Sequence, residues 1–226
     1  MTETENAAMI DLYTASTPNG KKISIMLEEC ALPYRVHLVN LGRGEQFQPE
    51  FVGINPNSKI PVIVDHDPQG KPVRVFESGA ILIYLAQKAG RLLPSEPAAH
   101  FACLSWVFWQ AANVGPMFGQ AHHFATVAPE KLRYPIDRFG NEAARLVRLM
   151  DEHLGRSPYL AGDYSIADIA AFPWLRVALD SICQARPADT GEAKHIRRWL
   201  AEIAARPAVE RGLAVGRNTP GMEKIR

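Results

Sequence analysis

Ser16-Thr17-Pro18-Asn19-Gly20 sets two hydroxyls and a carboxamide directly after a short apolar run, Met9-Ile10-Asp11-Leu12-Tyr13. Polar groups at the start of a helix suit an anion, because free N–H groups and the helix dipole both favour negative charge there. A hydroxyl so placed can donate to a thiolate, but no neighbouring base in sequence would make it a nucleophile. The plainer reading is that Ser16 and Thr17 only cap the helix, and capping alone explains them. Asn57-Ser58-Lys59-Ile60-Pro61 places a proline at the head of another apolar run. A cis Ile60–Pro61 bond would leave the Ile60 N–H and C=O free for an extended peptide ligand, whereas a trans proline opening an edge strand is the simpler expectation. Glu77-Ser78 stands between a strand and a helix start, where it either caps the helix or holds the two charged ends of an amino-acid-like group.

Other reactive residue types point nowhere so specific. The three cysteines, Cys30, Cys103 and Cys183, are odd in number and form neither a CxxC nor a metal-binding pattern with histidine, so a disulfide scaffold and a zinc module are unsupported. His122 and His123 are adjacent, so on a helix they point about 100° apart and share no metal face. They are expected to line or buttress a cleft between domains. Phe101, Trp106, Phe108, Trp109 and Phe118 could form a hydrophobic acceptor pocket, although aromatics at helical spacing are more simply core. Cys30 falls on one apolar stripe with Ile23 and Leu27, as a small buried hydrophobe.

The elements that must position these residues come in two unlike halves. The apolar run at 9–13 reads as a strand and Ser16–Gly20 as a turn; Ile23, Met26, Leu27 and Cys30 then recur at helical spacing. Tyr34–Val39 reads as a strand, residues 40–58 as a polar loop with one short helix near Pro49–Val52. Ile60–Val64 and Val73–Phe76 form a hairpin across Asp67-Pro68-Gln69-Gly70, followed by an apolar helix from Ala80 to about Lys88. The order β-α-β, loop, β-β-α suits one small mixed sheet with helices on both faces. Beyond Pro94 only helical patterns remain: Leu132 through Leu154 step by four and three, and Ala193 through Ile203 form a second stripe. A linker is expected near Arg91–Ala98, and the glycine-rich tail after Arg211 is expected to lie irregularly on the surface.

Bulk properties agree with an ordinary globular protein. The 226 residues suffice for one or two domains, with 47% hydrophobic and 22% charged residues. Lys plus Arg number 25 against 24 Asp plus Glu, a net charge of +1 that offers no footprint for nucleic acid or an anionic membrane. Met1–Ala8 is polar and acidic, unlike a signal peptide, and no apolar run reaches the roughly 18 residues of a spanning helix. A soluble, cytoplasmic protein is expected.

The β-α-β…β-β-α order is that of the thioredoxin superfamily, whose oxidoreductases carry a reactive cysteine where this chain has Thr17 and Asn19. Over nearly its whole length the chain resembles the cytosolic glutathione transferases. The likeness rests on the N-terminal loop, Asn57–Pro61, Phe76-Glu77-Ser78-Gly79-Ala80-Ile81, the capping-box segment Ser165-Ile166-Ala167-Asp168, and Trp199 followed by Ala205-Arg206-Pro207-Ala208-Val209. The capping box itself is read as structural. Within the family, Thr17–Gly20, Gly42-Arg43-Gly44-Glu45-Gln46-Phe47 and Gly115–Phe124 together resemble the bacterial nu-class, also described as homologues of a prion-like yeast regulator.

That resemblance implies an α/β thioredoxin-like domain at 9–90, an all-helical domain at 97–215, and a homodimer. It implies a protein that binds glutathione or glutathione disulfide as co-substrate, without a metal, and reduces small or mixed disulfides without a protein cysteine. Thr17 and Asn19 would face the glutathione sulfur. Gln46, Lys59, Ile60, Glu77 and Ser78 would hold the tripeptide, Lys59 at the glycyl carboxylate, the Ile60 backbone at the cysteinyl unit and Glu77 at the γ-glutamyl ammonium. Arg138, with Arg133 as the alternative, would approach from the helical domain. Two rival readings are conjugation of glutathione to electrophiles and a non-catalytic glutathione-binding regulator; the match at Lys59, Glu77 and Ser78 argues against the second.

Overall fold

The computed structural model describes residues 9–66 and 70–217. Asp67, Pro68 and Gln69 of the expected hairpin turn, the segment Met1–Ala8, and Pro220 and Gly221 of the tail lie outside the described residues. The chain divides into two units, one running to Arg91 and taking in the chain from Pro207 onward, the other Leu92–Arg206.

The first unit is built on a four-stranded sheet of order β2-β1-β3-β4, formed by β1 (Met9–Thr14), β2 (Tyr34–Leu38), β3 (Val62–His66) and β4 (Val73–Phe76). β1 and β2 are parallel, and β3 is antiparallel to both β1 and β4. Strict alternation along β1 sends Ile10, Leu12 and Thr14 into the interior, and Met9, Asp11 and Tyr13 to the other face. Beneath the first face lie α1 (Pro18–Glu29) and α3 (Ser78–Ala89), whose Ile23, Met26, Leu27, Ile81, Leu82 and Leu85 are wholly buried. Each such side chain contributes about 1.5–3 kcal/mol of hydrophobic stabilisation. On the other face Tyr13 packs against Phe51 of the short helix α2 (Pro49–Val52), with Val39 and Val62 beside it.

The ends of α1 and α3 are set locally. Thr17 caps α1 by accepting the Gly20 N–H at 3.2 Å, and Pro18 opens it. The turn is therefore shorter than the sequence suggests: Pro18, Asn19 and Gly20 already belong to the helix, since a proline at the first helical position forfeits no hydrogen bond. Both helices close on a left-handed residue, Ala31 (φ 51°) after the cap of α1 and Gly90 (φ 63°) as the cap of α3, with paired back-bonds such as Leu32 N–H to the Leu27 carbonyl. The fully buried Asp65 of β3 accepts from the Lys88 ammonium at 2.7 Å and the Tyr84 hydroxyl at 2.6 Å, which pins α3 to the sheet.

The second unit holds α4 (Pro97–Trp109), α5 (Gly115–His122), α6 (Arg133–Leu154), α7 (Ile166–Ala185), α8 (Pro187–Thr190) and α9 (Lys194–Ala204). π-helical turns at 110–114 and 123–127 bracket α5. The first precedes Pro116, which has no N–H to continue an α-helical ladder. α7 starts with the anticipated capping box: Ser165 accepts the Ala167 N–H, and Asp168 reaches back to the Ser165 N–H.

Three expectations are corrected. The helical domain does not run to residue 215, because α10 (Pro207–Ala214) packs on α1 in the first unit. Nor is the chain irregular directly after Arg211, since α10 continues to Ala214: a Cβ on Gly212 would sit 2.5 Å from the Ile25 Cα, so only glycine lets the helices approach this closely. The Ser24 hydroxyl donates to the Gly212 carbonyl and Arg211 pairs with Glu28, which fixes the contact. Finally, Phe101 and Phe108 are not core; they are 66% and 63% exposed on α4, whereas Phe118 is buried and Trp106 and Trp109 are half-buried.

Candidate functional site

Strand register brings the candidate residues of the first unit to one end of the sheet. Tyr13 is level with Val62 and Val62 with Phe76, while Thr14 is level with Leu38. The segments after β1 (Ser16, Thr17, Asn19), after β2 (Gln46), before β3 (Lys59, Ile60) and after β4 (Glu77, Ser78) therefore all leave the sheet at the same end. α1 and α3 both begin there, so two helix N-termini face one region.

Each residue is poised differently. The Thr17 oxygen accepts the Gly20 N–H, which leaves its hydroxyl hydrogen for another acceptor. Asn19 is half-buried in the first turn of α1. Gln46 lies in a 3₁₀ turn, Glu45–Phe47, and its Oε1 is buried with no hydrogen-bond partner among the described residues. A buried orphan acceptor is costly unless a ligand donor reaches it. Lys59 is exposed, and its carbonyl takes the Asn55 Nδ2 at 2.7 Å, which shapes the loop. The Ile60–Pro61 bond is cis, against the simpler expectation of trans. Among the described residues nothing hydrogen-bonds the Ile60 N–H or C=O. Glu77 has φ 69°, a strained value for a residue other than glycine, and receives the Asn57 carboxamide at 3.5 Å; it makes no side-chain cap on α3. Strain of this kind costs of order 1–3 kcal/mol and concentrates at functional positions. Ser78 is the first residue of α3, and its hydroxyl accepts from the Lys22 ammonium at 3.2 Å.

Two residues that shape this end of the sheet escape the sequence reading. Gly20 looked like a turn residue, yet a Cβ there would lie 2.2 Å from the Ala15 carbonyl oxygen and 2.5 Å from the Thr14 hydroxyl. Replacing Gly20 by alanine is expected to push the α1 N-terminus off β1. The cost should be about 2–3 kcal/mol, read as a lowered urea midpoint, with loss of the Thr17 and Asn19 geometry. Lys22 is only 2% exposed. Its position four residues before Met26 sets it on the apolar stripe, a signal visible in the spacing and obscured by the residue's charge.

Burial lowers the Lys22 ammonium to about 7, partly opposed by the Glu77 charge. The folded protein then binds fewer protons at this site than the unfolded chain between about pH 7 and the ordinary lysine value. Stability should therefore rise with pH from 7 to 9 relative to Lys22→Met, approaching about 1.4 kcal/mol per pH unit. Urea unfolding of both proteins across that range measures the difference.

None of the three cysteines belongs to the segments that meet at this end of the sheet. Cys30 is buried at the far end of α1 from Thr17, and Cys103 is buried in α4; burial pushes both thiols up. Cys183 is half-buried in α7. Among the described residues no group of three or more His, Cys, Asp and Glu is placed to hold a metal ion. No helix among them is long and apolar enough to cross a membrane. On the second unit, His122 and His123 are exposed. Arg133 is engaged with Asp137, which also takes Arg186, while Arg138 makes no hydrogen bond or ion pair among the described residues.

Residues 17–88 match the N-terminal domain of glutathione S-transferases, and residues 115–207 match the C-terminal domain. The chain is 47% identical over 208 residues to the disulfide-bond oxidoreductase YfcG of Escherichia coli, covering 91% of this chain and 94% of that protein. A glutathione transferase from Burkholderia graminis, solved with two glutathione molecules bound per subunit, superposes with a TM-score of 0.86 at 43% identity, over 93% of this chain and 90% of that one. A glutathione transferase from Pseudomonas putida, with one glutathione disulfide bound per subunit, gives 0.86 at 42% identity over 93% of both chains.

Proposed function

The chain belongs to the glutathione S-transferase family, and from that premise we propose that it binds glutathione at the shared end of the sheet and uses it to reduce small or mixed disulfides. The observation that carries this reading is the convergence of four polar segments and two helix N-termini at a site with no cysteine. The sulfur that reacts must then come with the ligand. Thr17, through its free hydroxyl hydrogen, and Asn19 are the groups for the glutathione thiolate. Gln46, Lys59, the Ile60 backbone, Glu77 and Ser78 hold the tripeptide.

The reaction follows from thiolate chemistry. The glutathione thiolate attacks one sulfur of the substrate disulfide, forming a mixed disulfide and expelling the other sulfur as a thiolate that takes up a proton. A second glutathione thiolate attacks the mixed disulfide, giving glutathione disulfide and the second thiol. Two glutathiones are oxidised as one disulfide is reduced. The protein is further read as a cytoplasmic homodimer, with the exposed Phe101 and Phe108 of α4 as apolar surface for a second copy; light scattering should give twice the chain mass.

A panel of substrates tests the reading. The protein should turn over 2-hydroxyethyl disulfide with glutathione, and a variant lacking Cys30, Cys103 and Cys183 should keep that activity. Strong conjugation of aryl halides with negligible disulfide turnover would favour the transferase reading instead. Absence of glutathione binding by calorimetry would point to a non-catalytic member.

A further inference from the structure

Ile23, Met26, Leu27 and Cys30 form the stripe of α1 that its apolar spacing announces. A second stripe, Lys21, Ser24, Ile25 and Glu28, repeats the same three- and four-residue steps and meets α10 along its length. The Ser24 hydroxyl donates to the Gly212 carbonyl at 2.7 Å, and the Ile25 backbone lies where a Gly212 Cβ would be. Glu28 takes Arg211 at 2.6 Å and the Tyr34 hydroxyl at 2.8 Å, which extends the contact to β2. At the opposite end, the Lys21 ammonium donates to the Leu213 carbonyl at 2.9 Å and to the Val215 carbonyl. The two helices therefore run antiparallel, and the last turn of α10 lies against the first turns of α1.

On local grounds Lys21 is badly placed. It sits one turn into α1, where the helix N-terminus already carries partial positive charge and a cation opposes the dipole. The end of α10 reverses that balance, because its last carbonyls form the negative end of a helix and have no helical N–H to pair with. Lys21 also donates its own N–H to the Thr17 carbonyl at 2.9 Å, the first helical bond of α1. One residue thus joins the end of α10 to the cap that precedes Asn19. The chain reaches α10 only after it has passed through the second unit. We propose that Lys21 is a positioning residue for the thiolate site, clasping the last turn of α10 and thereby fixing the α1 N-terminus that presents Thr17 and Asn19. This inference rests on the glutathione reading above and makes that site depend on α10.

Three variants separate positioning from stability. Lys21→Met removes both bonds to α10, Lys21→Arg keeps the charge and two donors, and Arg211→Ala cuts the contact at the far end of α1. Without ligand, backbone hydrogen exchange in the first turns of α1 should quicken about tenfold in Lys21→Met, with Glu28–Cys30 little changed; Arg211→Ala should show the reverse. With glutathione, Lys21→Met is expected to raise KM about fivefold, with kcat changed less than about twofold. The bound thiol should titrate about half a unit higher. Lys21→Arg should return both to near wild type. Arg211→Ala should leave the thiol titration unmoved even where it lowers the melting temperature as much as Lys21→Met. Wild-type KM and thiol titration in Lys21→Met would overturn the assignment, as would failure of Lys21→Arg to recover them. Equal losses in Arg211→Ala would also overturn it, since they would mark a general loss of stability. If the wild-type protein binds no glutathione in calorimetry, the glutathione reading itself falls, and hydrogen exchange alone then decides whether the clasp exists.

Discussion

Asp168→Ala is expected to destabilise the second unit by about 4 kcal/mol, a large share of the roughly 5–15 kcal/mol that holds a typical domain. The Asp168 carboxylate is wholly buried and accepts from the Leu160 N–H at 3.0 Å, the Ser165 N–H at 3.0 Å and the Trp199 indole N–H at 2.8 Å. Alanine would orphan three buried donors belonging to the loop before α7, the cap of α7 and the centre of α9. Each orphaned donor costs about 1–3 kcal/mol, relieved in part if water enters the space left behind. Asp168→Asn keeps one acceptor oxygen and should fall between. All four tryptophans, at 106, 109, 174 and 199, lie in the second unit, so their fluorescence follows its unfolding in urea without interference from the first. A midpoint for Asp168→Ala within error of wild type would remove the carboxylate from its place as the unit's central acceptor.

That carboxylate also shows what could be read in advance. Ser165-Ile166-Ala167-Asp168 announces a capping box because its bonds are local, and the structure supplies both of them. The bond to Trp199 joins residues 31 positions apart and has no local signature. The same division runs through the first unit. The strand at 9–13, the hairpin strands and the helical stripes are legible, because each depends on the pattern within a few residues. Thr17 and Glu77-Ser78 were legible as positions at helix starts. What was not legible depends on approach between distant segments: Gly20 against β1, Gly212 against Ile25, and Lys22 reaching α3. A glycine in a turn-rich string and a lysine in a helix each have an ordinary local explanation, and only tertiary contact distinguishes them from it. α10 belongs with them, since its place in the first unit is set by close packing on α1 and not by its own pattern.

Removing both polar groups at the α1 N-terminus, in Thr17→Val with Asn19→Ala, should raise the thiol pKa of bound glutathione by about two units, toward the 8.5 of a free thiol. Such a shift corresponds to about 2.7 kcal/mol, which one or two charge-assisted hydrogen bonds and a helix dipole can supply. The helix itself remains in the variant, so any residual lowering measures its dipole. Thr17→Val also removes the oxygen that accepts the Gly20 N–H, at a stability cost of about 1 kcal/mol. Thr17→Ser restores both that cap and the donor, and should recover the wild-type pKa. Turnover must follow less steeply than ionisation. At pH 7 the variant would hold roughly 25-fold less thiolate, but a more basic thiolate is intrinsically about eightfold more nucleophilic over two units, leaving a net loss of about threefold. Wild type keeps its advantage only while the variant is mostly protonated, so with the same eightfold factor the two rate profiles should cross at about pH 7.6, with the variant the faster above it. Thiolate absorbance of the complex gives the pKa, and disulfide turnover across pH gives the profiles. A bound thiol that titrates identically in wild type and variant would show that these two residues do not face the sulfur.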